Sequence, residues 1–282
     1  MVGSGVGLTA LMVAAARAIE THRPDSLAQD EYAEHFVRAA PASSDWPVRP
    51  QDVADGDANP LWGRLGRYFG LRTRVIDDVV LEAGNRQTVL LGAGLDTRAF
   101  RLPWVTGSAV YELDQPSVLA FKQRVLDGLG ATARTERHSI PTDLRHDWAG
   151  LLPGFRPTEP TTWLAEGLLL YLPSDAERNL VETVDRLAAP GSTFVYEVKL
   201  FREPAEVRDS PVYRATKAQI GVDLIALFDR DPRPDSAAHL GSLGWTTTTH
   251  LPYDFTRRHG RGPLPLPDDA LNANRWVIAT KR

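Results

Sequence analysis

The chain has 282 residues, a formal charge of −4 and no cysteine. With 43% hydrophobic residues it suits one large α/β domain with an added cap, or two small domains. The acidic balance argues against DNA or RNA as a substrate. The missing cysteines exclude disulfides, thiolate catalysis and cysteine-based zinc sites. The seven histidines are scattered, with no H-E-x-x-H or His-x-His cluster, so a catalytic metal is not expected. One small basic run, Arg257 to Arg261, reads as a solvated loop.

In chain order, the first feature is the apolar run Leu8 to Ala16, which ends in alanines as a signal peptide does. Nothing basic precedes it, and Arg17 and Glu20 follow at once. It is also too short to span a membrane, so it reads as a packed helix, about Leu8 to Ile19, of a cytoplasmic protein with no membrane contact. A second helix is expected over Asp30 to Ala40. Pro41 to Asn59 is rich in Pro, Ser, Asp and Gly and is expected to form a loop over the mouth of a site. Residues 1–70 would then form a helical N-terminal cap on a core spanning 71–282.

Arg72 to Ala83 carries Val75, Ile76, Val79, Val80 and Ala83 at helical spacing. Strands follow at Thr88–Leu91, Ala109–Leu113, Thr135–Ile140 and Thr162–Ala165, with a helix from Pro116 to about Gly128, where the proline's missing N–H costs nothing. Ser174-Asp-Ala-Glu177 has the form of a capping box for a helix with Leu180, Val181, Val184 and Leu187 on its apolar face. Ser192–Glu197 is a fifth strand. A helical lid insertion is expected at about 200–235. Leu240–Leu243, Trp245–Leu251 and Arg275–Thr280 would complete the sheet. Strands alternating with helices indicate a mostly parallel α/β sheet covered on both faces. Ligands of such sheets sit at the strands' carboxyl ends, where strand order reverses.

The sharpest local signal is Thr88-Val-Leu-Leu-Gly-Ala-Gly-Leu-Asp-Thr-Arg98, a buried strand running into a glycine turn. Gly92 and Gly94 let the backbone turn tightly and lie close to a ligand. The next strand ends in Glu112-Leu-Asp114, and an acid at that place accepts hydrogen bonds from ribose hydroxyls. A dinucleotide site would carry G-x-G-x-x-G, but the third glycine position is Thr97 and an acid, Asp96, stands inside the turn. A carboxylate repels a pyrophosphate and attracts a cation. This favours S-adenosyl-L-methionine, with its sulfonium and ammonium, over NAD.

The chain resembles the leucine carboxyl methyltransferase-like family of class I S-adenosylmethionine-dependent methyltransferases, and within it a bacterial O-methyltransferase branch associated with natural-product genes. The segments that carry the likeness are Leu11–Glu20, Asp30–Val37, Leu71–Arg74, Leu90–Arg98, Tyr111–Pro116, Asp143–Trp148 and Trp163–Leu172. The resemblance implies a class I Rossmann-like methyltransferase fold with a seven-stranded sheet. It implies that Asp114 holds the ribose, and that Asp143 and Leu144 hold the adenine, one by its exocyclic amine and the other as an apolar wall. It places Glu166 at the cofactor's methionine end and Arg72 on its carboxylate. Each position has a plainer alternative. The glycines can serve tight packing only. Glu112 competes with Asp114, and either acid can cap the helix at Pro116. Asp143 can cap the short helix through Trp148. Arg72 can be an exposed helix arginine, with Arg74 or Arg98 taking its place. Glu166 lies in a very apolar stretch, where an unpaired charge would cost about 3–5 kcal/mol, so a partner is expected for it.

Tyr171, just past the fourth strand, stands where a methyl acceptor should lie; it positions the acceptor or is a core tyrosine with a wet tip. A carboxylic acid, with a pKa of about 4, is already ionised at neutral pH, whereas a phenol near ~10 needs a base or a metal. No histidine stands in a recognised base position, though His138, His146 and His239 remain candidates. The reading is therefore an O-methyltransferase that makes a methyl ester on a small-molecule acid. A phenol or alcohol acceptor, a peptide C-terminal carboxylate, a non-catalytic cofactor-binding protein and an NAD-dependent oxidoreductase are the alternatives.

Overall fold

The computed structural model describes residues 5–199, 209–267 and 269–282. Its centre is a seven-stranded sheet in the order β3-β2-β1-β4-β5-β7-β6. The strands are β1 (Gln87–Leu91), β2 (Ala109–Asp114), β3 (Glu136–Pro141), β4 (Thr161–Ala165), β5 (Thr193–Lys199), β6 (Trp245–His250) and β7 (Asn274–Lys281). β1 to β5 pair in parallel, and β7 runs antiparallel between β5 and β6. All five residues of β1 and of β4 are buried. That is why each ends in three apolar residues in a row, Val89 to Leu91 and Trp163 to Ala165, rather than alternating: helices cover both faces.

Alternation within the strands divides the core in two. Leu90, Val110, Leu164 and Val195 face one layer, which holds α1 (Val6–Thr21), α2 (Ala33–Ala39), α3 (Trp62–Ala83) and α5 (Pro116–Gly128). Val89, Leu91, Trp163 and Phe194 face the other, under α6 (Ser174–Leu187). The short α4 (Arg98–Arg101) follows the glycine turn. Beyond β5 come α7 (Pro211–Ile220), α8 (Leu224–Leu227) and α9 (Ser236–Ser242), and α10 (Pro252–His259) joins β6 to β7. The chain order β1, β2, β3 builds outward one way and β4, β5 the other, so strand order reverses between β1 and β4.

Three local expectations are corrected. Leu240–Leu243 is not a strand but the end of α9, which Asp235 caps by accepting from the Ala238 N–H at 2.9 Å. The Ser174–Glu177 capping box does not form. The Glu177 carboxylate accepts instead from Ser236 Oγ at 2.7 Å and from Arg233 at 3.1 Å, and the Ser174 N–H donates to Asp231. Pro41 to Asn59 forms two single 3₁₀ turns and does not border the cavity described below; its Trp46 packs on Trp62 and its Asp57 pairs with Arg23 and Arg67. In the 200–235 segment the structure shows α7 and α8, while residues 200–208 lie outside the described residues. Among the described residues no helix is long and apolar enough to cross a membrane.

Candidate active site

One cavity of about 620 Å³ opens at the carboxyl ends of β1 to β5, within the range of small-molecule and cofactor sites. Arg72, Gly92, Gly94, Asp114, Asp143, Leu144, Glu166 and Tyr171 all border it. The glycine turn sits at its centre. Gly92 and Gly94 adopt φ of +69° and +49°, a left-handed conformation that costs other residues roughly 1–2 kcal/mol. The N–H groups of Gly92 and Ala93 both donate to the Leu113 carbonyl at 3.0 Å. A Cβ on Gly92 would stand 3.0 Å from Leu168 Cδ1. β1 is thereby tied to the end of β2 with its backbone turned toward the cavity.

At the tip of β2, Asp114 accepts from the Gly94 N–H and from the Gln115 N–H, each at 2.6 Å. Burial raises its pKa, and those two N–H bonds offset part of that. Glu112, its rival, lies two residues deeper on the same face of β2, fully buried, and pairs with Lys122 and Arg137 at 2.7 Å each. Past β3, Asp143 binds Arg145 through the guanidinium and the backbone N–H, at 2.9 and 3.0 Å. The Arg145 hydrogen bonds hold its carboxyl well below the usual range.

The middle of the cavity rests on a charged lattice. Arg98 is buried and donates to Asp77 at 2.7 Å, and also to Asp96 and Glu166. Burial pushes the Asp96 carboxyl up, but Arg98, Lys122 and Arg101 together outweigh it and hold the group down at about 2. Glu166 thus has its partner, and a second one in Arg72, 3.4 Å away. Arg72 also donates to Glu197 at 2.7 Å. Arg74 lies on the outer face of α3, half-exposed and paired with Asp78, and does not border the cavity.

Sequence reasoning passed over several neighbours. Tyr68 donates to Glu197 and accepts from Asn274 at 2.7 Å and from Trp276 at 3.1 Å. Those partners lie 129 to 208 positions away, so no local pattern announces them. The roof is α1: Thr9, Ala10 and Val13 border the cavity, and Arg17 donates to the Leu95 carbonyl at 2.6 Å while pairing with Asp30. Past β5 the wall is formed by Lys199, Tyr213 and Phe228. No histidine is among the described residues that line the cavity. His138 stacks on Tyr111, His239 pairs with Glu182, and His146 is exposed.

Five carboxylates border this space: Asp96, Asp114, Asp143, Glu166 and Glu197. They suit a ligand that brings hydroxyl, amine and cationic donors, and they would repel a pyrophosphate. The comparisons with known proteins point the same way. A relative from Streptomyces coelicolor, provisionally named an S-adenosyl-L-methionine-dependent methyltransferase, is 62% identical over 99% of this chain and 94% of its own length. One of the same provisional name from Saccharopolyspora erythraea is 45% identical over 86% of this chain and 84% of its own. Among solved structures, a DUF574 family protein from Streptomyces avermitilis superposes with a TM-score of 0.53, 14% identity and coverage of 94% of this chain and 99% of that one. A provisionally named methyltransferase from Thermobifida fusca gives 0.52, 16%, 95% and 94%. At those identities the structures speak to the fold alone. The family model for leucine carboxyl methyltransferase matches residues 10–185. The chain belongs to the leucine carboxyl methyltransferase family of S-adenosyl-L-methionine-dependent methyltransferases.

Proposed function

We propose that this protein is an O-methyltransferase that forms a methyl ester on a carboxylate of a small-molecule acid. The observation that carries the cofactor half is the pairing of a left-handed glycine turn with Asp114, whose carboxylate is fixed by the Gly94 N–H at 2.6 Å. On this reading Asp114 takes the ribose hydroxyls, while Asp143 and Leu144 take the adenine edge and face. Gly92 and Gly94 let the chain approach the ligand's middle. Glu166 and Arg72 receive its amino and carboxylate ends. Arg72 meets Glu197 and Glu166 with its ordinary charge secured, since burial alone would lower its pKa and the two acids more than restore it. Bound there, S-adenosyl-L-methionine supplies a methyl group on a sulfonium, which leaves as a neutral thioether once an acceptor oxygen takes the methyl.

The protein's part is alignment and exclusion of water. α1 roofs the glycine turn, and Tyr171 stands beside the acceptor space with Thr9 as its hydrogen-bond partner. An acceptor that is already a carboxylate needs no base, and the cavity's described lining offers no histidine to serve as one. Residues 1–70 act as the cap of this site, residues 71–282 as its core, and the insertion at about 200–235 as its lid. The test is to incubate the protein with a cell extract and isotopically labelled S-adenosyl-L-methionine, then identify the labelled product by mass spectrometry. A label released by mild alkali is expected, as from an ester. A label that survives alkali would place the methyl on a hydroxyl and overturn the carboxyl reading.

A further inference from the structure

The turn that carries Tyr171 is held from outside the cavity. Leu168, Leu170, Tyr171 and Leu172 all border the cavity, and Leu169–Tyr171 is a single 3₁₀ turn, a form with poor hydrogen-bond geometry of its own. An irregular strap, 228–235, connects α8 to α9 and is bonded to this turn. The Asp229 N–H donates to the Leu170 carbonyl at 2.9 Å. One guanidinium nitrogen of Arg233 donates to the Leu169 carbonyl at 2.7 Å and to the Leu172 carbonyl at 2.8 Å. Phe228, at the head of the strap, sets its ring 5.9 Å from that of Tyr171. The carbonyls on both sides of Tyr171, and its ring, are therefore held by one short stretch of chain.

The strap's sequence suits this task. Arg233 lies between Pro232 and Pro234. Pro232 has its own φ fixed, and Pro234 disfavours helical backbone at Arg233, so few backbone states are lost when the arginine docks. Its side chain is largely buried, and its other terminal nitrogen donates to Asp229 at 3.1 Å. The same guanidinium reaches Glu177 on α6 at 3.1 Å, a fully buried carboxylate that also accepts from Ser236 Oγ at 2.7 Å. Glu177 matches the charge, while the planar fork spans the carbonyls and Asp229 at once. Neither Asp229 nor Arg233 borders the cavity, so any effect of Arg233 on the reaction passes through the turn.

We infer that Arg233 is a positioning residue for methyl transfer: it fixes the Leu169–Leu172 turn from behind and so sets where Tyr171 meets the acceptor. The inference rests on the reading that puts Tyr171 beside the acceptor, and deepens it. Glu166 precedes the same turn but has anchors of its own in Arg98 and Arg72. Loss of Arg233 therefore releases the acceptor side of the cavity and spares the cofactor side. Alignment is demanding, since a misplacement of about 1 Å can cost about 10²-fold in rate.

For the test, the intact protein is labelled with 3-fluorotyrosine, and the fluorine NMR resonance of Tyr171 is identified by its absence from Tyr171→Phe. Arg233→Met should move or split that resonance. It should also lower the initial rate of labelled-methyl transfer in the extract assay by about tenfold to a hundredfold per folded molecule. Affinity for S-adenosylhomocysteine should stay within about twofold. Glu177→Gln is the control: it removes the buried charge but keeps both carbonyl bonds, so resonance and rate should match the parent. A purely structural role would destabilise both variants and leave the resonance and rate of the folded protein unchanged. If Arg233→Met does not fold, Arg233→Lys takes its place, because a point charge can serve Glu177 but not the whole forked set. An unmoved Tyr171 resonance, a rate within about twofold of the parent, a loss of cofactor affinity as large as the loss of rate, or the same changes in Glu177→Gln would overturn the inference. The two readings fail separately. Parent-like transfer by Tyr171→Phe removes the acceptor role of Tyr171. Impaired transfer by Tyr171→Phe, with its resonance unmoved in Arg233→Met, removes only the role of Arg233.

Discussion

Replacing Asp114 with Ala isolates the contact on which the cofactor assignment depends. The carboxylate already accepts two backbone N–H bonds of 2.6 Å, one per oxygen. Each oxygen retains a lone pair, enough for the two hydroxyls of a ribose. Charge-assisted bonds of this kind contribute about 1.5–3 kcal/mol each, so the gross loss is about 3–6 kcal/mol before water refills the gap. Affinity for S-adenosylhomocysteine should fall between about tenfold and a few hundredfold, taking about 1.4 kcal/mol per decade. Isothermal titration calorimetry measures it directly. Asp114→Asn separates two causes, because its carbonyl can still satisfy the Gly94 N–H. If loosening of the glycine turn were the whole effect, Asn would restore full affinity. If ribose recognition is lost, Asn recovers only part. An Asp114→Ala protein that binds S-adenosylhomocysteine within twofold of the parent would refute the assignment.

Three further outcomes are expected. Arg98→Met leaves Asp77, Asp96 and Glu166 without their shared guanidinium, and removing one partner from buried charges costs about 3–5 kcal/mol; a urea denaturation curve shifted by less than 1 kcal/mol would contradict the lattice's structural role. The single-turnover rate of methyl transfer should be nearly flat between about pH 6 and pH 9, because a carboxylate acceptor of pKa near 4 stays ionised throughout. His138, His146 and His239 variants should each stay within about tenfold, and a rate rising tenfold per pH unit that collapses in one of them would move the acceptor to the hydroxyl class. Burial, joined by Arg258 and opposed by Asp254, lowers the pKa of His250, so folding favours its neutral ring. That contribution is present in full above the ordinary value of about 6.5 and is lost as pH falls through the lowered value; His250→Gln should therefore show a shallower loss of stability on acidification in thermal melts at stepped pH.

What could be read from the sequence was whatever the neighbouring residues themselves determine. β1 and β4 each end in a short apolar run because both faces are covered, and the glycine turn follows from φ values that only glycine adopts freely. The misreadings share a cause in distant partners. Ser174 and Glu177 satisfy the local rule for a capping box, yet Arg233 and Ser236, more than fifty positions away, take the Glu177 carboxylate. Leu240 to Leu243 looked like a strand end, although Asp235 ahead of Ser-Ala-Ala is a helix-capping signal that outweighs two leucines. Arg72 and Arg74 sit two apart on α3 and so point to different faces. One enters the cavity and the other pairs outward with Asp78, and periodicity alone did not show which face the sheet would take. Tyr68, Asn274 and Lys199 became visible only when β5 and β7 were brought together.

The arginine that pins α1 over the glycine turn has a consequence for the order in which the molecule is made. Arg17 docks on the carbonyl of Leu95, 78 positions later. During synthesis α1 therefore exists long before its seat does, with Leu11, Ala14, Ala15, Ala18 and Ile19, all buried in the finished fold, facing water meanwhile. The entropy of closing so long a loop grows only as the logarithm of its length, so the wait is one of sequence rather than of cost. α1 waits for its seat at Leu95, and the cavity is complete only after Lys199, Tyr213 and Phe228 have followed. A ligand that binds only the completed cavity stabilises that late step by mass action, and protection of α1 from proteolysis by S-adenosylhomocysteine would mark the moment at which the nascent chain closes.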